Sequence, residues 1–314
     1  MSSASPENLQ PRDCSGDPKR VLITGASGLV GTALQTALQE AGHEPIALRR
    51  SADPTHAPCW NPATGEIHAD TDKPWDAVVH LAGDNIGAGR WSAAKKKRIT
   101  GSRVGPTERL STFLAGLDQP PHVLVSASAI GIFGDRGAER LTEESAVGEG
   151  FVPETCIAWE AATRPAEEGG IRVVHARIGI VLDPAGGALQ KMLPPFRMGI
   201  GGVTGSGKQG MSWIALEDVV RCLLFLIEEQ RLSGPVHCVA PSAVDNRTFT
   251  KALGKALGRP TILPLPSFLI RLLFGEMGQS LLLEGAFVEP AKLTQAGFAF
   301  RHPQLAPLLQ ELVG

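Results

Sequence analysis

Residues Val21-Leu22-Ile23-Thr24-Gly25-Ala26-Ser27-Gly28-Leu29-Val30-Gly31 constrain this chain more than any other stretch. Val21 to Thr24 read as a short buried strand. Gly25, Gly28 and Gly31 follow at the spacing G-x-x-G-x-x-G. A helix then opens, with an apolar stripe of Leu29, Val30, Ala33, Leu34, Ala37, Leu38 and Ala41. Strand, glycine turn and helix in this order build a site for a dinucleotide pyrophosphate. Gly25 permits the tight turn, Gly28 lets the backbone approach the phosphates, and Gly31 lets helix and strand pack closely. The helix N-terminus adds free N–H groups and the positive end of its dipole. Ser27, Leu29 and Val30 share this turn and count with the glycines as cofactor-binding residues. The competing reading is a plain strand-to-helix turn.

Composition narrows the setting. At 314 residues, 43% hydrophobic and 20% charged, the chain is an ordinary soluble globular protein with room for one large domain or two unequal ones. Its net charge of -2 gives no global pull toward nucleic acid or an anionic membrane. Lys95-Lys96-Lys97-Arg98 is a local basic run that reads as a solvated helix face. Cys14, Cys59, Cys156, Cys222 and Cys238 are scattered and lack C-x-x-C spacing. That argues against a disulfide framework or a zinc site and for a reducing, cytoplasmic setting. No apolar run is long enough to span a bilayer. Residues 1–18 are polar, rich in Ser, Pro, Asp and Glu, and read as a disordered tail rather than a secretory signal.

The second strand, His43 to Leu48, ends in Arg49-Arg50-Ser51. At this place in a dinucleotide fold an acidic residue would bond the ribose 2′-hydroxyl of NAD, whereas arginines suit the 2′-phosphate of NADP. Two exposed surface arginines are the alternative. Ala52 to Pro74 read as a loop with a small hairpin, turned at Asn61-Pro62-Ala63-Thr64-Gly65. Trp75 to Gly83 is another buried strand, and small residues at its end, Leu81-Ala82-Gly83, let the backbone pass beside the adenine and ribose. His80 inside it reads as a satisfied core histidine. Ser92 caps a long helix that Gly101 and Pro106 interrupt. His122 to Ser128 is a strand ending in hydroxyl residues, Ser126-Ala127-Ser128.

The glycine fingerprint, Leu81-Ala82-Gly83, Ser126-Ala127-Ser128 and Trp213-Ile214-Ala215-Leu216-Glu217-Asp218 together resemble the extended short-chain dehydrogenase/reductases of the epimerase/dehydratase type. A narrower resemblance, to an atypical epimerase-like family with a C-terminal extension of unknown role, is carried by several further stretches. They are Gly89-Arg90-Trp91-Ser92, Ile99-Thr100-Gly101-Ser102-Arg103, Leu193-Pro194-Pro195-Phe196-Arg197, Gly205-Ser206-Gly207-Lys208-Gln209 and Met211-Ser212-Trp213-Ile214. The resemblance runs from about Arg20 to Val313. It implies an α/β fold, a doubly wound parallel sheet (Rossmann) with a smaller C-terminal substrate lobe, and NADP as cofactor. It also implies cofactor contacts at Arg103, Ser126 and Val181 besides those above.

The same resemblance exposes a departure. Extended dehydrogenases use a Ser or Thr together with Y-x-x-x-K, in which Tyr is the general acid/base and Lys lowers its pKa. Ser128 takes the serine position. Placed by Trp159-Glu160, the Y-x-x-x-K register falls near Val152 and Cys156, and the chain contains no tyrosine at all. Three readings follow. Another group serves as acid/base, from Glu160, Glu154, Asp135, Cys156 or His175. Or hydride moves with little proton help. Or the protein binds NADP without turnover. Cys156 on an apolar helix face reads first as packing. Arg177 and the Gly179 to Val181 backbone leave the next strand, Gly170 to Leu182, on the nicotinamide side.

Further on, Leu189 to Arg197 reads as a helix cut short by Pro194-Pro195. Gly199 to Gly210 reads as a glycine-rich hairpin bordering the substrate cleft, without Walker A spacing. Trp213 reads as packing, and Asn246 as the cap of a helix over Arg247 to Leu257. The expected organisation is a tail (1–18), a nucleotide-binding domain (19–183 plus 211–235), and a substrate lobe with extension (184–210 plus 236–314). The function expected is NADP-dependent oxidoreductase or epimerase chemistry on a small molecule, with Ser128 and Glu160 as catalytic candidates. No metal site and no nucleic-acid or membrane partner are expected; a homo-oligomer or protein partner stays open. The rival is an NADP-dependent sensor or scaffold read by a partner protein.

Overall fold

Val21-Leu22-Ile23 gives a chain no polar face to turn to water, and such a strand is stable only when covered on both sides. The computed structural model, which describes residues 17–314, buries all three fully. The expected tail lies outside the described residues except for its last two positions. β1 (Arg20–Thr24) enters α1 (Leu29–Glu40) through the glycine turn, and β2 (Glu44–Arg50) follows. β3 (Cys59–Trp60) and β4 (Ile67–His68) form the small hairpin. Next come β5 (Ala77–His80), α2 (Ala93–Gly101), α3 (Val104–Ala115), β6 (Val123–Ala129) and β7 (Arg140–Leu141). α4 (Phe151–Ala161), α5 (Arg164–Glu168), β8 (Arg172–Ile178), β9 (Ile180–Asp183) and α6 (Gly187–Arg197) follow. Then come β10 (Gly210–Met211), β11 (Trp213–Ala215), α7 (Leu216–Glu228), β12 (Gly234–Cys238), β13 (Val244–Asp245) and α8 (Asn246–Ala256). α9 (Ser267–Gly278), β14 (Phe287–Val288), α10 (Ala291–Gln295) and α11 (Leu305–Val313) close the chain.

One sheet of eight strands, ordered β12-β8-β6-β5-β1-β2-β3-β4, organises the molecule, and every pair in it but β3–β4 is parallel. The chain steps outward from β1 to β2 and then returns to place β5 on the other side of β1. That reversal opens a crevice at the carboxyl ends of β1 and β5, where doubly wound sheets hold ligands. This is the fold class the sequence implies.

The two faces of the sheet differ. Val21, Ile23, Val79, Val125 and Val174 meet α1 and α7 through Leu34, Leu38, Val219 and Leu223 in an apolar layer. The opposite face begins apolar, with Leu22, Val78, Leu124 and Val173 in register under Leu110, Leu114 and Ala166. Two residues along, the register is Thr24, His80, Ser126 and His175. Two residues further, Ser128, Arg177 and His237 stand side by side on β6, β8 and β12. The strand period of two therefore turns this face from apolar to polar as it approaches the crevice.

A second core, built on Leu182, Leu189, Leu193, Phe196, Trp213, Phe249 and Leu308, gathers α6, α8 and α11. Trp213 is fully buried there and packs, as expected. Four local expectations are corrected. α6 runs through Pro194 and Pro195 to Arg197, because burial of Leu189, Leu193 and Phe196 along one face holds its last turn despite two missing N–H donors. Gly199 to Gly210 is no hairpin. Its backbone pairs outward, with Leu265 N donating to Val203 O at 2.8 Å and Gly205 N to Leu265 O at 2.9 Å, while β10 pairs with β13. Asp245, not Asn246, caps α8, accepting from Thr248 N at 2.7 Å; Asn246 Oδ1 instead accepts from Thr204 N at 2.9 Å. Lys95 is not on a solvated face: it is 5% exposed and donates to Asp84 at 2.7 Å and to the Asn85 carbonyl at 2.8 Å.

Asp218, fully buried at the start of α7, ties down the last segment. Its Oδ1 accepts from Arg301 N and its Oδ2 from His302 N, both at 2.8 Å. Asp218→Ala should strand two backbone donors and cost about 3 kcal/mol. Asp218→Asn, which keeps one acceptor, should cost about half of that. Urea denaturation of both variants measures this, and equal losses would refute the two-acceptor account.

Candidate functional site

The glycine turn is shaped by close approach. Gly25 sits at φ 68°, and a side-chain carbon there would lie 2.8 Å from the Leu81 carbonyl carbon. One at Gly31 would collide with the Gly25 carbonyl oxygen, whereas Gly28 meets nothing but that same oxygen, at 3.3 Å. The outer side of Gly28 is thus left open to a ligand. No side chain caps α1 and its first turn carries no acid, so its leading N–H groups are free to bind an anion. Ser27 is exposed at this turn, and Val30 packs into the apolar layer. Leu29 reaches across to Gly186, where a side-chain carbon would stand 2.9 Å from its Cδ1.

Arg49 and Arg50 close β2, exposed, with no carboxylate within 4 Å among the described residues. Leu81, Ala82 and Gly83 follow β5, and Leu81 N donates to Thr24 O at 3.2 Å, which draws the end of β5 against β1. Arg103 stands at the break between α2 and α3. Its guanidinium donates to Asp84 O at 2.9 Å and Ile99 O at 3.0 Å and lies 5.0 Å from the Trp159 ring. A side-chain carbon at Gly83 would be 3.2 Å from Arg103 Cζ. Arg103 and Gly83 therefore meet. Val181 is half-buried on β9, and its carbonyl faces Gly187. Ser126 is buried one row deeper than Ser128, between His80 and His175.

Above that row a largely buried polar group assembles, Ser128 and Arg177 buried and Glu160 slightly exposed. Ser128 Oγ donates to Glu160 Oε1 at 2.6 Å. Arg177 clasps the same carboxylate with two bonds, Nε to Oε1 at 2.8 Å and Nη2 to Oε2 at 2.9 Å. Burial alone would raise the Glu160 pKa, but the Arg177 bonds and charge and the Ser128 hydroxyl hold it below the ordinary carboxylate value. His175 shares a hydrogen bond of 2.8 Å with Thr163 Oγ1 and lies 3.9 Å from Glu160. Burial lowers its pKa, so it is neutral at neutral pH. Arg177 also sits 5.6 Å from the Phe133 ring, which meets His237 edge-on at 5.4 Å.

Of the five acid/base candidates, Glu160 alone bonds Ser128. Glu154 and Asp135 are exposed away from it. Cys156 is buried, and burial, with Glu160 second, pushes its thiol up to about 12, so it carries a proton at neutral pH. Val152 packs with Phe274 and Leu281 against Trp91, Ile99 and Met277. His80 is the satisfied core histidine expected: it bonds Thr24 at 2.6 Å and Thr107 at 2.9 Å, and burial lowers its pKa to about 4. The sequence reading missed His237, Glu143 and Thr163. The signal for His237 was its strand register with Arg177, which a single chain does not display.

Comparison with known proteins fits this geometry. The sequence model of the NAD dependent epimerase/dehydratase family matches residues 21–239, and that of a domain of unknown function, DUF1731, matches residues 265–312. The chain belongs to the NAD dependent epimerase/dehydratase family. It is 46% identical over 292 residues to the epimerase family protein Mb2239 of Mycobacterium bovis, covering 92% of this chain and 96% of that one. It is 34% identical to the human epimerase family protein SDR39U1, whose crystal structure with NADPH superposes at a TM-score of 0.85 over 94% of this chain and 99% of that one. A UDP-N-acetylglucosamine 4-epimerase from Bacillus cereus, 15% identical at a TM-score of 0.70 over 94% of this chain and 98% of that one, shares the fold. In this epimerase/dehydratase family member Ser128 and Arg177 stand near the carboxyl ends of β6 and β8, and Glu160 reaches them from α4.

These buried groups fix a pH dependence. The folded-state pKa of His80 lies near 4, below its ordinary 6.5, so protons bind the unfolded chain first and stability falls as pH drops from 6.5 toward 4, by about 3 kcal/mol. Glu160 is also depressed, and its contribution is lost only below its ordinary 4.5. Melting temperatures from pH 8 to pH 3 should show His80→Asn reducing the slope of the upper interval, to which the buried His175 and His237 also contribute, and Glu160→Gln reducing the fall at the acid end only. The reverse assignment of the two intervals would contradict this.

Proposed function

We propose that this chain binds NADP(H) in the Gly25–Gly31 cradle and acts as a short-chain dehydrogenase/reductase-like oxidoreductase or epimerase on a small molecule. The observation that carries the reading is the buried Ser128–Glu160–Arg177 group beside the nucleotide crevice, at 2.6 to 2.9 Å. Gly25, Ser27, Gly28, Leu29 and Val30 would line the pyrophosphate, and Arg49 and Arg50 the 2′-phosphate. Leu81 to Gly83 and Arg103 would border the ribose side, with Ser126 behind them and Val181 opposite. When bound, the cofactor supplies or accepts hydride.

The chain's own residues order the substrate. Ser128 spends its single proton on Glu160, so its Oγ presents lone pairs and accepts a hydrogen bond from a substrate hydroxyl. Before the step Glu160 is ionised beside Arg177 and fixes that polarity. As the substrate oxygen gives up its proton to Ser128 Oγ, the serine proton moves to Glu160 Oε1. Residues 19–183 plus 211–235 would hold the cofactor, and 184–210 plus 236–314 the substrate. The rival, a sensor without turnover, draws on the same ion pair, because a carboxylate already satisfied by Arg177 is a weak base.

Three measurements test this. NADPH should raise the melting temperature more than NADH at equal concentration. Arg49→Ser together with Arg50→Ser should weaken NADPH roughly tenfold or more and leave NADH nearly unchanged; equal losses would remove the 2′-phosphate assignment. Incubation with NADP⁺ and a library of hydroxylated metabolites, read by absorbance of the reduced cofactor, separates enzyme from sensor. Turnover should vanish in Ser128→Ala and fall in Glu160→Gln. NADPH binding with no turnover across the library would favour the sensor.

A further inference from the structure

The net charge of -2 averages over an uneven distribution. From Pro184 to Leu216 the chain has Lys191, Arg197 and Lys208 and no acidic residue. From Asn246 to Gly275 it has Arg247, Lys251, Lys255, Arg259 and Arg271, again with no acidic residue. All eight cations are exposed, and none lies within 4 Å of a carboxylate among the described residues. The two segments meet: a side-chain carbon at Gly199 would stand 3.8 Å from Pro260 Cγ, and Val203 and Gly205 pair with Leu265.

The same segments carry most of the large exposed aliphatic and aromatic side chains of the described residues. Ile262 is 80% exposed, Phe268 70%, and Met198 and Leu272 67% each, with Ile200, Leu263 and Leu273 above half. They alternate with the cations along the chain: Arg197 precedes Met198 and Ile200, Arg259 precedes Ile262 and Leu263, and Arg271 precedes Leu272 and Leu273. Phe268 and Leu272 are one turn apart on α9, whose other side buries Ile270 and Met277. Protruding apolar groups interleaved with unpaired cations fit a surface that is itself apolar beneath an anionic layer.

We propose that this face of the molecule docks on an anionic lipid bilayer, with Met198, Ile262, Phe268 and Leu272 entering the acyl boundary and Arg197, Arg259 and Arg271 meeting the headgroup phosphates. Charge selects this occupant over the alternatives. A two-fold dimer through this face would bring two sets of these cations together with no acidic residue from either segment to pair them. A nucleic-acid backbone would leave the aliphatic groups without apolar partners. The inference is independent of the cofactor reading.

Co-sedimentation of the full chain with vesicles tests it. The protein should sediment with vesicles of phosphatidylcholine mixed with phosphatidylglycerol, far less with phosphatidylcholine alone, and less as salt is raised. Phe268→Ser with Leu272→Ser should lower the bound fraction roughly fivefold, and Arg197→Ser with Arg259→Ser and Arg271→Ser should do the same. Both sets are exposed, and their circular dichroism melts should match the parent chain. No binding to the anionic vesicles, or equal binding to both kinds, would overturn the proposal. So would sedimentation equilibrium showing a parent dimer that Phe268→Ser with Leu272→Ser converts to a monomer, which would give the surface to a second copy.

Discussion

The bidentate pair between Arg177 and Glu160 is the contact on which the chemical end of this molecule depends. Two charges this deep are costly to strip of water, and they are stable together only because the fork of the guanidinium matches the carboxylate and Ser128 supplies a further bond. Arg177 comes from β8, next to the edge strand β12, and Glu160 from α4, so the pair also clamps α4 onto the strands. It sets the polarity of Ser128, keeps Glu160 ionised, and lines up Phe133 and His237 beyond it.

From His237 the polar row passes to the C-terminal extension. Glu143, buried, takes the His237 N–H at 3.0 Å and the Lys292 N–H at 3.3 Å on one oxygen, and His237 Nδ1 bonds the Glu289 carbonyl at 2.9 Å. Ser212 makes a second bridge, donating to Ala286 O and accepting from Val288 N, both at 2.8 Å. With Asp218 holding Arg301 and His302, the extension is fastened to the sheet at three buried polar points. It is therefore part of the same folded unit as the crevice.

The strands, the glycine turn and the core histidine His80 were legible because each rests on local pattern: period two, fixed glycine spacing, a long apolar run. The polar row was half legible. Ser128 stood at a strand end, but its partnership with Arg177 and His237 depends on which strands lie side by side. The errors share that cause. Lys95 looked solvated within a basic run, yet Asp84, eleven residues earlier and after β5, waits at the same place. Pro194 and Pro195 look like a helix stop, yet the second core holds the turn around them. Tertiary burial outweighed local preference each time.

The chain has no tyrosine, and α4 meets the extension through apolar side chains. Residue 152 lies on the first turn of α4, where Phe274 and Leu281 from the extension close over Trp91, Ile99 and Met277. Val152, half-buried, packs there and also closes on Gly131, where a side-chain carbon would lie 2.7 Å from its Cγ1. The cysteine a turn later, kept protonated by burial, places no charge there either. Ionised groups are instead gathered one helical turn further on, at Glu160, where Arg177 can meet them. α4 is thus apolar where it meets the extension and charged where it meets the sheet.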